Sequence, residues 1–407
     1  MRIRVLAFLA CFLLGALHDI GFAQGEGIQV DSSVEYSFRE QVSFQVKFQS
    51  PETIRRVQIF IQMEGVSQTL TGTVPLDSQG LGHFQVDLKR QPLRAFSTVQ
   101  YWYEITFTDG TIRASQRLSF FYEDTRFDWQ WRDQAPFRVH WYRGEGDFGQ
   151  NLLDVARSGN ERIHSVLPLE TPKSIHIYAY ANASDMHTTL DVTGQPWAGA
   201  HSDPDLGVMV ISLPSGPEQR LDMERQIPHE LMHILLYYFA GSGYSNLPAW
   251  FNEGLASLAE LYPNPDYPNL LAAAQKKDGL LSMSELCASF PIEPSASILA
   301  YAQASSFTRY LHKQYGTSGL QRLLEHYADG IDCERGVELA LGVSLVRLER
   351  DWRRATFGES ILTSALGDLL PWLVLLVMAL LMPLGLAWWR FGQQKSGKKS
   401  RLGDLRR

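Results

Sequence analysis

The chain carries the pentapeptide HELMH at residues 229–233 and the nonapeptide PAWFNEGLA at residues 248–256. Residues four apart lie on one face of a helix, so His229 and His233 can present their imidazoles to the same metal ion. Glu230 lies beside them on that helix. The first segment therefore offers two metal ligands and a neighbouring carboxylate.

The second segment adds an acidic ligand, Glu253, with nineteen residues between it and His233. A zinc ion held by three protein ligands keeps a fourth position for water and lowers the pKa of that water towards neutrality. The sequence predicts one Zn²⁺ ion per chain, bound by His229, His233 and Glu253, with Glu230 as the general base. The alternative for the pentapeptide alone is an exposed helix with two solvated histidines.

The two segments together resemble the gluzincin zinc metallopeptidases, and the peptidase MA-like group in particular. The resemblance rests on H-E-x-x-H followed by W-x-x-E-G-x-A and covers residues 127–357. It implies a thermolysin-like α+β domain, with the sheet first and the helices after it. It also implies His229, His233 and Glu253 as the zinc ligands, and Glu230 as base and proton shuttle.

A tyrosine that opens a later helix helps to stabilise the oxyanion in aminopeptidase-type gluzincins. Tyr301 looks similar, because it opens the segment YAQASSFTRYL at residues 301–311, although the family's Lys-Gly pair is missing here. The resemblance implies Tyr301 as a catalytic hydrogen-bond donor. The alternative is an amphipathic tyrosine of the core.

Two positions depart from the family pattern. Pro228 directly precedes the first histidine, and a proline inside a helix costs about 3 kcal/mol or more. We therefore expect a hinge between a helical stretch at 218–227 and the metal-binding helix. Related enzymes often carry Asp four residues after the glutamate ligand, where this chain has Ser257, with Glu260 about one turn further. The partner of the zinc-bound histidines is left open.

The N-terminal part of the chain shows the period of β-strands. Apolar and polar residues alternate within residues 42–48, 84–88, 99–107 and 118–122. Asp109-Gly110 is a hairpin turn signal. This pattern predicts an all-β immunoglobulin-like or fibronectin-like sandwich at 24–123, followed by the α+β metallopeptidase domain at 124–357.

The N-terminus has the pattern of a secretory signal. Arg2 and Arg4 precede an apolar run at 5–17, and small residues follow at 21–23. These features predict a cleaved signal peptide over residues 1–23. An uncleaved membrane anchor is the alternative.

The C-terminal region predicts a membrane span. Residues 369–389 hold 21 residues without charge, enough to cross a hydrocarbon layer of about 30 Å. The basic tail at 390–407 indicates that this end is cytoplasmic. We therefore expect a single-pass protein of the cell membrane with its catalytic domain outside the cytoplasm. The linker at 358–368 reaches at most about 40 Å, which favours substrates near the membrane.

Charge and cysteine content agree with this organisation. Residues 24–368 hold 28 basic and 42 acidic side chains, a formal net charge of −14. Such a surface excludes a nucleic-acid binding role, which needs clustered Lys and Arg. Cys287 and Cys333 are the cysteines of this region, and an oxidising compartment predicts a disulfide between them. Two buried free thiols are the alternative.

The sequence thus predicts a membrane-anchored zinc metallopeptidase acting on peptide or protein substrates. Two other functions stay open. One is a zinc hydrolase that cuts a different bond, and the other is a cell-surface binding module with a structural or degenerate zinc site. An intact Glu230 argues against the binding module, and so does the lack of an evident fourth ligand near the motif. The substrate, endo- or exopeptidase action and the oligomeric state do not follow from the sequence.

Overall fold

The structure, a computed structural model, describes residues 28–49, 53–190 and 199–358, together with the isolated positions Trp372, Val374, Leu375, Val377 and Leu381. The chain divides into two compact units, one ending at Asp128 and the other beginning at Trp129. The boundary predicted from the sequence lies at 123/124.

The predicted signal peptide, membrane span and basic tail lie outside the described residues, apart from the isolated positions just named. Within the described part of the chain, no helix has both the length and the apolar character that crossing a membrane requires.

The first unit consists of two antiparallel β-sheets. Its strands are β1 Asp31–Ser37, β2 Gln41–Lys47, β3 Ile54–Met63, β4 Thr69–Val74, β5 Leu81–Asp87, β6 Ser97–Phe107, β7 Ile112–Ala114 and β8 Leu118–Tyr122. One sheet has the order β1-β2-β5 and the other has the order β4-β3-β6-β7, with β8 also paired to β6. The prediction of a β-rich N-terminal part is confirmed.

The alternating residues of the first unit form its core. Val42, Phe44 and Val46 of β2 are buried, because every second side chain of a strand points to the same face. The ring of Phe44 lies 5.0 Å from that of Tyr101 on β6. The apolar faces of the two sheets therefore pack against each other and stabilise the unit.

The second unit begins with a five-stranded sheet of order β12-β13-β11-β10-β9. Its strands are β9 Gln130–Gln134, β10 Phe137–Trp141, β11 Ile175–Tyr180, β12 Ala200–Asp203 and β13 Val208–Ser212. The three central strands are parallel, and the two edge strands are antiparallel to their neighbours.

Helices make up the rest of the second unit. They are α1 Phe148–Val166, α2 Ala183–Leu190, α3 Gln219–Ala240, α4 Ala249–Ala259, α5 Tyr267–Lys276, α6 Pro294–Ala328, α7 Cys333–Leu341 and α8 Leu345–Phe357. Within α6, Gly316 has non-helical backbone angles (φ 65°, ψ −173°) and separates two helical stretches. One apolar core joins the sheet to these helices.

The expected hinge at Pro228 is wrong, because α3 runs through this residue as one helix. Proline cannot donate to the carbonyl four residues earlier, which belongs to Glu224. The backbone N–H of Leu261 donates to that carbonyl instead, at 2.9 Å. Gly159 of α1 leaves room for the ring, since a Cβ at Gly159 would lie 2.9 Å from Pro228 Cγ. Tertiary contacts thus stabilise the proline inside the helix.

Helices α4 and α6 approach each other closely at Gly254. A Cβ at this position would lie 2.0 Å from Thr308 Oγ1 and 2.8 Å from the carbonyl oxygen of Ala304. The missing side chain lets α4, which carries Glu253, pack against α6, which carries Tyr301.

The predicted disulfide between Cys287 and Cys333 is present. It joins the short 3-10 helix Glu285–Cys287 to the start of α7. The indole N–H of Trp250, on α4, donates to Cys333 Sγ at 3.2 Å. The cross-link therefore ties α7 to the part of the core that supports α4.

We expect reduction of the disulfide to lower the free energy of unfolding by about 2–4 kcal/mol, because the bond restricts the unfolded chain. Urea unfolding with and without dithiothreitol measures this loss. The double variant Cys287→Ser, Cys333→Ser is the control and should not respond to the reductant. Equal midpoints for oxidised and reduced wild type would contradict the expectation.

Replacing Gly254 by Ala should destabilise the second unit by about 1–3 kcal/mol, because the added methyl group forces α4 and α6 apart. Gly279→Ala is the matched control. A Cβ at Gly279 meets its nearest atom at 3.6 Å, an ordinary contact. Urea unfolding of both variants checks this, and an equal loss in the two would argue against a close helix contact at Gly254.

Candidate metal centre

Three side chains from two helices converge in the second unit. His229 and His233 of α3 and Glu253 of α4 each offer a ligand atom, and these atoms lie within 4.8 Å of one another. Glu253 Oε2 is 3.3 Å from His229 Nε2 and 3.7 Å from His233 Nε2. Two ligands bound to a tetrahedral zinc ion are about 3.4 Å apart. The donor set and its spacing therefore fit zinc.

The ring of His229 is oriented by a buried carboxylate. Its Nδ1 lies 3.0 Å from Glu260 Oε1, and the Glu260 side chain is only 5% exposed. A carboxylate accepts the hydrogen bond, so Nδ1 carries the proton. Nε2 is then the ring atom that faces Glu253, 3.3 Å from its Oε2, and the one that a metal ion would bind.

The ring of His233 is oriented by neutral groups. Its Nδ1 lies 3.1 Å from Asn252 Oδ1 and 3.3 Å from the hydroxyl of Tyr244. The side-chain amide of Asn252 also donates to that hydroxyl at 3.1 Å. Tyr244 belongs to a 3-10 helix, Gly241–Asn246, that follows α3 directly. His233 is thus assigned the same tautomer as His229, with Nε2 facing Glu253.

Electrostatics favour a cation at this place. Burial raises the pKa of Glu253, but the nearby His233 and His229 outweigh burial and hold it below its ordinary value. Burial likewise opposes charge on His229, yet its hydrogen bonds to Glu253 and Glu260 raise its pKa well above the usual range. Both shifts arise because the carboxylates of Glu253 and Glu260 attract positive charge on the neighbouring imidazoles.

Glu230 is the remaining acidic side chain of the motif. It is a buried residue with 8% exposure, and its carboxylate makes no hydrogen bond to any described residue. It follows His229 directly on α3, and its charge acts on His229, Tyr244 and Tyr301, so it lies close to the ligand group. A carboxylate without a competing partner is available to accept a proton.

Tyr301 lies close to these carboxylates. Burial is the main reason that the pKa of its phenol is raised, and Glu253 and Glu230 add to the effect. Its ring packs edge-on against Phe290 at 4.9 Å, and its hydroxyl has no hydrogen-bond partner among the described residues. The Tyr301 phenol thus lies within electrostatic range of Glu253 and Glu230, with a hydroxyl that no described residue occupies.

Sequence reasoning missed two partners of the histidines and left a third open. Asn252 directly precedes Glu253 in the second segment, which was a usable signal. Tyr244 lies between the two segments and belongs to neither, so no sequence motif pointed to it. Glu260 rather than Ser257 contacts His229, and the Ser257 hydroxyl is buried without a hydrogen-bond partner.

Comparison with known proteins gives a family match. The profile of the Peptidase MA superfamily matches residues 155–358, which contain all the predicted zinc ligands. No curated protein matches the chain.

Several solved structures resemble the chain at low identity. An aminopeptidase N family protein from Idiomarina loihiensis is 8% identical, covers 80% of this chain and 76% of its own, and has a TM-score of 0.38. An M1 zinc metallopeptidase from Deinococcus radiodurans is 12% identical. The match covers 77% of this chain and 88% of that protein, with a TM-score of 0.34.

A polysaccharide deacetylase from Bacillus cereus is 12% identical, with 40% of this chain and 54% of that chain covered and a TM-score of 0.21. The chain therefore spans about half the length of that protein. TM-scores this low do not establish a shared fold.

The family match extends over half of the chain and contains the site whose geometry is described above. The resemblance seen in the two sequence segments is thereby confirmed, and the chain belongs to the Peptidase MA superfamily.

Proposed function

We propose that this protein is a zinc metallopeptidase that hydrolyses peptide bonds outside the cytoplasm while anchored to a membrane. One observation carries the proposal. His229, His233 and Glu253 bring their ligand atoms within 4.8 Å of one another, and the unpaired carboxylate of Glu230 stands beside them.

The composition of the ligand group supports a catalytic role over a structural one. Structural zinc sites are usually closed by four protein ligands, whereas catalytic sites have three. Among the described residues, the group contains His229, His233 and Glu253 only. A zinc ion held by them would lower the pKa of a water molecule and polarise a substrate carbonyl.

Glu230 would act as general base and proton shuttle. Its carboxylate takes a proton from the attacking water and returns it to the leaving amine nitrogen, so no covalent intermediate with the protein forms. Its burial removes competing water, and its lack of hydrogen bonds to described residues leaves both oxygens available.

Tyr301 would stabilise the developing oxyanion. A phenol that keeps its proton at neutral pH can donate a hydrogen bond to negative charge. Burial and the nearby carboxylates raise the pKa of Tyr301 and so keep its hydroxyl protonated. The pKa of Tyr244 is raised as well, chiefly by burial, but its hydroxyl contacts His233 and Asn252. We therefore assign substrate contact to Tyr301 and ligand orientation to Tyr244.

The location outside the cytoplasm rests on three features. The disulfide Cys287–Cys333 suits an oxidising compartment. The N-terminal residues have a secretory signal pattern, and residues 369–389 have the composition of a span followed by a basic tail. A short linker before that span favours peptide or protein substrates close to the membrane.

Glu230→Gln should keep zinc bound while lowering turnover by at least about 100-fold, because the amide cannot accept a proton from water. Zinc content and cleavage of an unbiased peptide library by the full-length protein test this. Glu218→Gln is the matched control, since Glu218 is exposed at the start of the same helix.

The outcomes separate the candidate functions. Zinc with cleavage that the variant loses supports the metallopeptidase. Zinc without cleavage of any peptide would favour a different hydrolysed bond, and an undiminished rate in the variant would remove Glu230 from the mechanism. Absence of zinc would favour the binding-module alternative.

Tyr301→Phe should lower kcat by about 100-fold and leave KM nearly unchanged, because it removes a donor used chiefly in the transition state. Tyr244→Phe is the comparison. It should weaken zinc binding and leave kcat at saturating zinc close to that of the wild type, because Tyr244 contacts a ligand and not the substrate. The reverse pattern would exchange the two roles.

A further inference from the structure

Within α3, away from its ends, the carbonyl of Glu224 has no helical donor. In a regular helix the N–H of residue 228 would donate to the carbonyl of Glu224, but Pro228 has no N–H. The N–H of Leu261 fills this place at 2.9 Å. Leu261 lies just beyond α4, so a backbone hydrogen bond joins the metal-binding helix to the chain that follows the second segment.

The chain leaves α4 at the residue before this bond. Glu260 has φ −53° and ψ 128°, which are not helical angles, and α4 ends at Ala259. In a continuing helix the N–H of Leu261 would donate to the carbonyl of Ser257. It donates to the carbonyl of Glu224 instead. The N–H that has no helical acceptor after α4 thus pairs with the carbonyl that has no helical donor in α3.

This arrangement places Glu260 against a zinc ligand. Glu260 is 6% exposed, and its Oε1 lies 3.0 Å from His229 Nδ1. His229 directly follows Pro228 on α3. The proline is therefore the chain neighbour of the histidine whose ring contacts Glu260.

We propose that Pro228 is a positioning residue of the metal centre: it leaves the Glu224 carbonyl open for Leu261, and this bond holds Glu260 where it orients His229. The inference rests on the proposed zinc site and deepens it. An alanine at position 228 would bring back an N–H that competes with Leu261 for the carbonyl. Glu260 would then lose its backbone anchor and His229 its fixed orientation.

The test is a double-mutant cycle on the full-length protein, with the zinc dissociation constant measured by competition with a chelator. Pro228→Ala should weaken zinc binding by about 10-fold, and Glu260→Ala by about 10- to 100-fold, the usual loss for a partner of a metal ligand. The double variant should bind zinc no more weakly than Glu260→Ala alone, because Pro228 acts through Glu260.

The cycle separates positioning from a general change in α3. If Pro228→Ala merely altered the packing of α3, the loss would appear in both backgrounds and the two effects would add, which would overturn the proposal. Glu260→Gln keeps an acceptor oxygen and should recover part of the affinity lost in Glu260→Ala. Failure of this rescue would contradict the orienting hydrogen bond.

Ser257→Ala, three residues before Glu260 in the last turn of α4, is the matched control. The Ser257 hydroxyl is buried and has no partner, so its removal should leave zinc affinity unchanged, and an equal loss there would count against a specific role for Glu260. A wild-type protein that bound no zinc would reject the proposed function itself. A wild type that bound zinc as tightly as Pro228→Ala would reject only this inference.

Discussion

The metal centre depends on one contact, in which the carboxylate of Glu253 on α4 faces the imidazoles of His229 and His233 on α3. Removing a carboxylate from water is costly unless positive charge or hydrogen bonds compensate for it. The two helices can bury these groups together because the imidazoles supply that compensation. The attraction between the carboxylate and the imidazoles therefore favours the packing of α3 on α4 and also brings the three ligand atoms together.

Orientation of the ligands comes from groups outside the pentapeptide. Glu260 holds the ring of His229, and Asn252 and Tyr244 hold the ring of His233. Each partner takes the Nδ1 side and leaves Nε2 directed at Glu253. The protein thus sets the tautomer of both histidines by hydrogen bonds to α4, to the residue that follows it and to the 3-10 helix after α3, which preorganises the site for a cation.

Two residues that disfavour helices support this geometry. Gly254 lets α4 lie against α6 at a point where any side chain would collide with the carbonyl oxygen of Ala304. Pro228 leaves the carbonyl of Glu224 without a helical donor, and the N–H of Leu261 donates to it. In isolation each residue weakens its helix. In the folded protein each is stabilised by a neighbouring element, so the cost is offset by contacts that position Glu253 and Glu260.

Local patterns by themselves determined the strands of the first unit, the metal-binding motif and the family. Alternating residues such as Val42 and Phe44 predict a strand because the strand period is two residues, and the two histidines predict a common face because they lie four apart on a helix. Only the tertiary structure decided the partners of these histidines and the course of α3 through Pro228. The compensating N–H of Leu261 lies 37 residues after Glu224, and Tyr244 carries no motif. Contacts between such distant residues depend on how the helices pack, which no local pattern encodes.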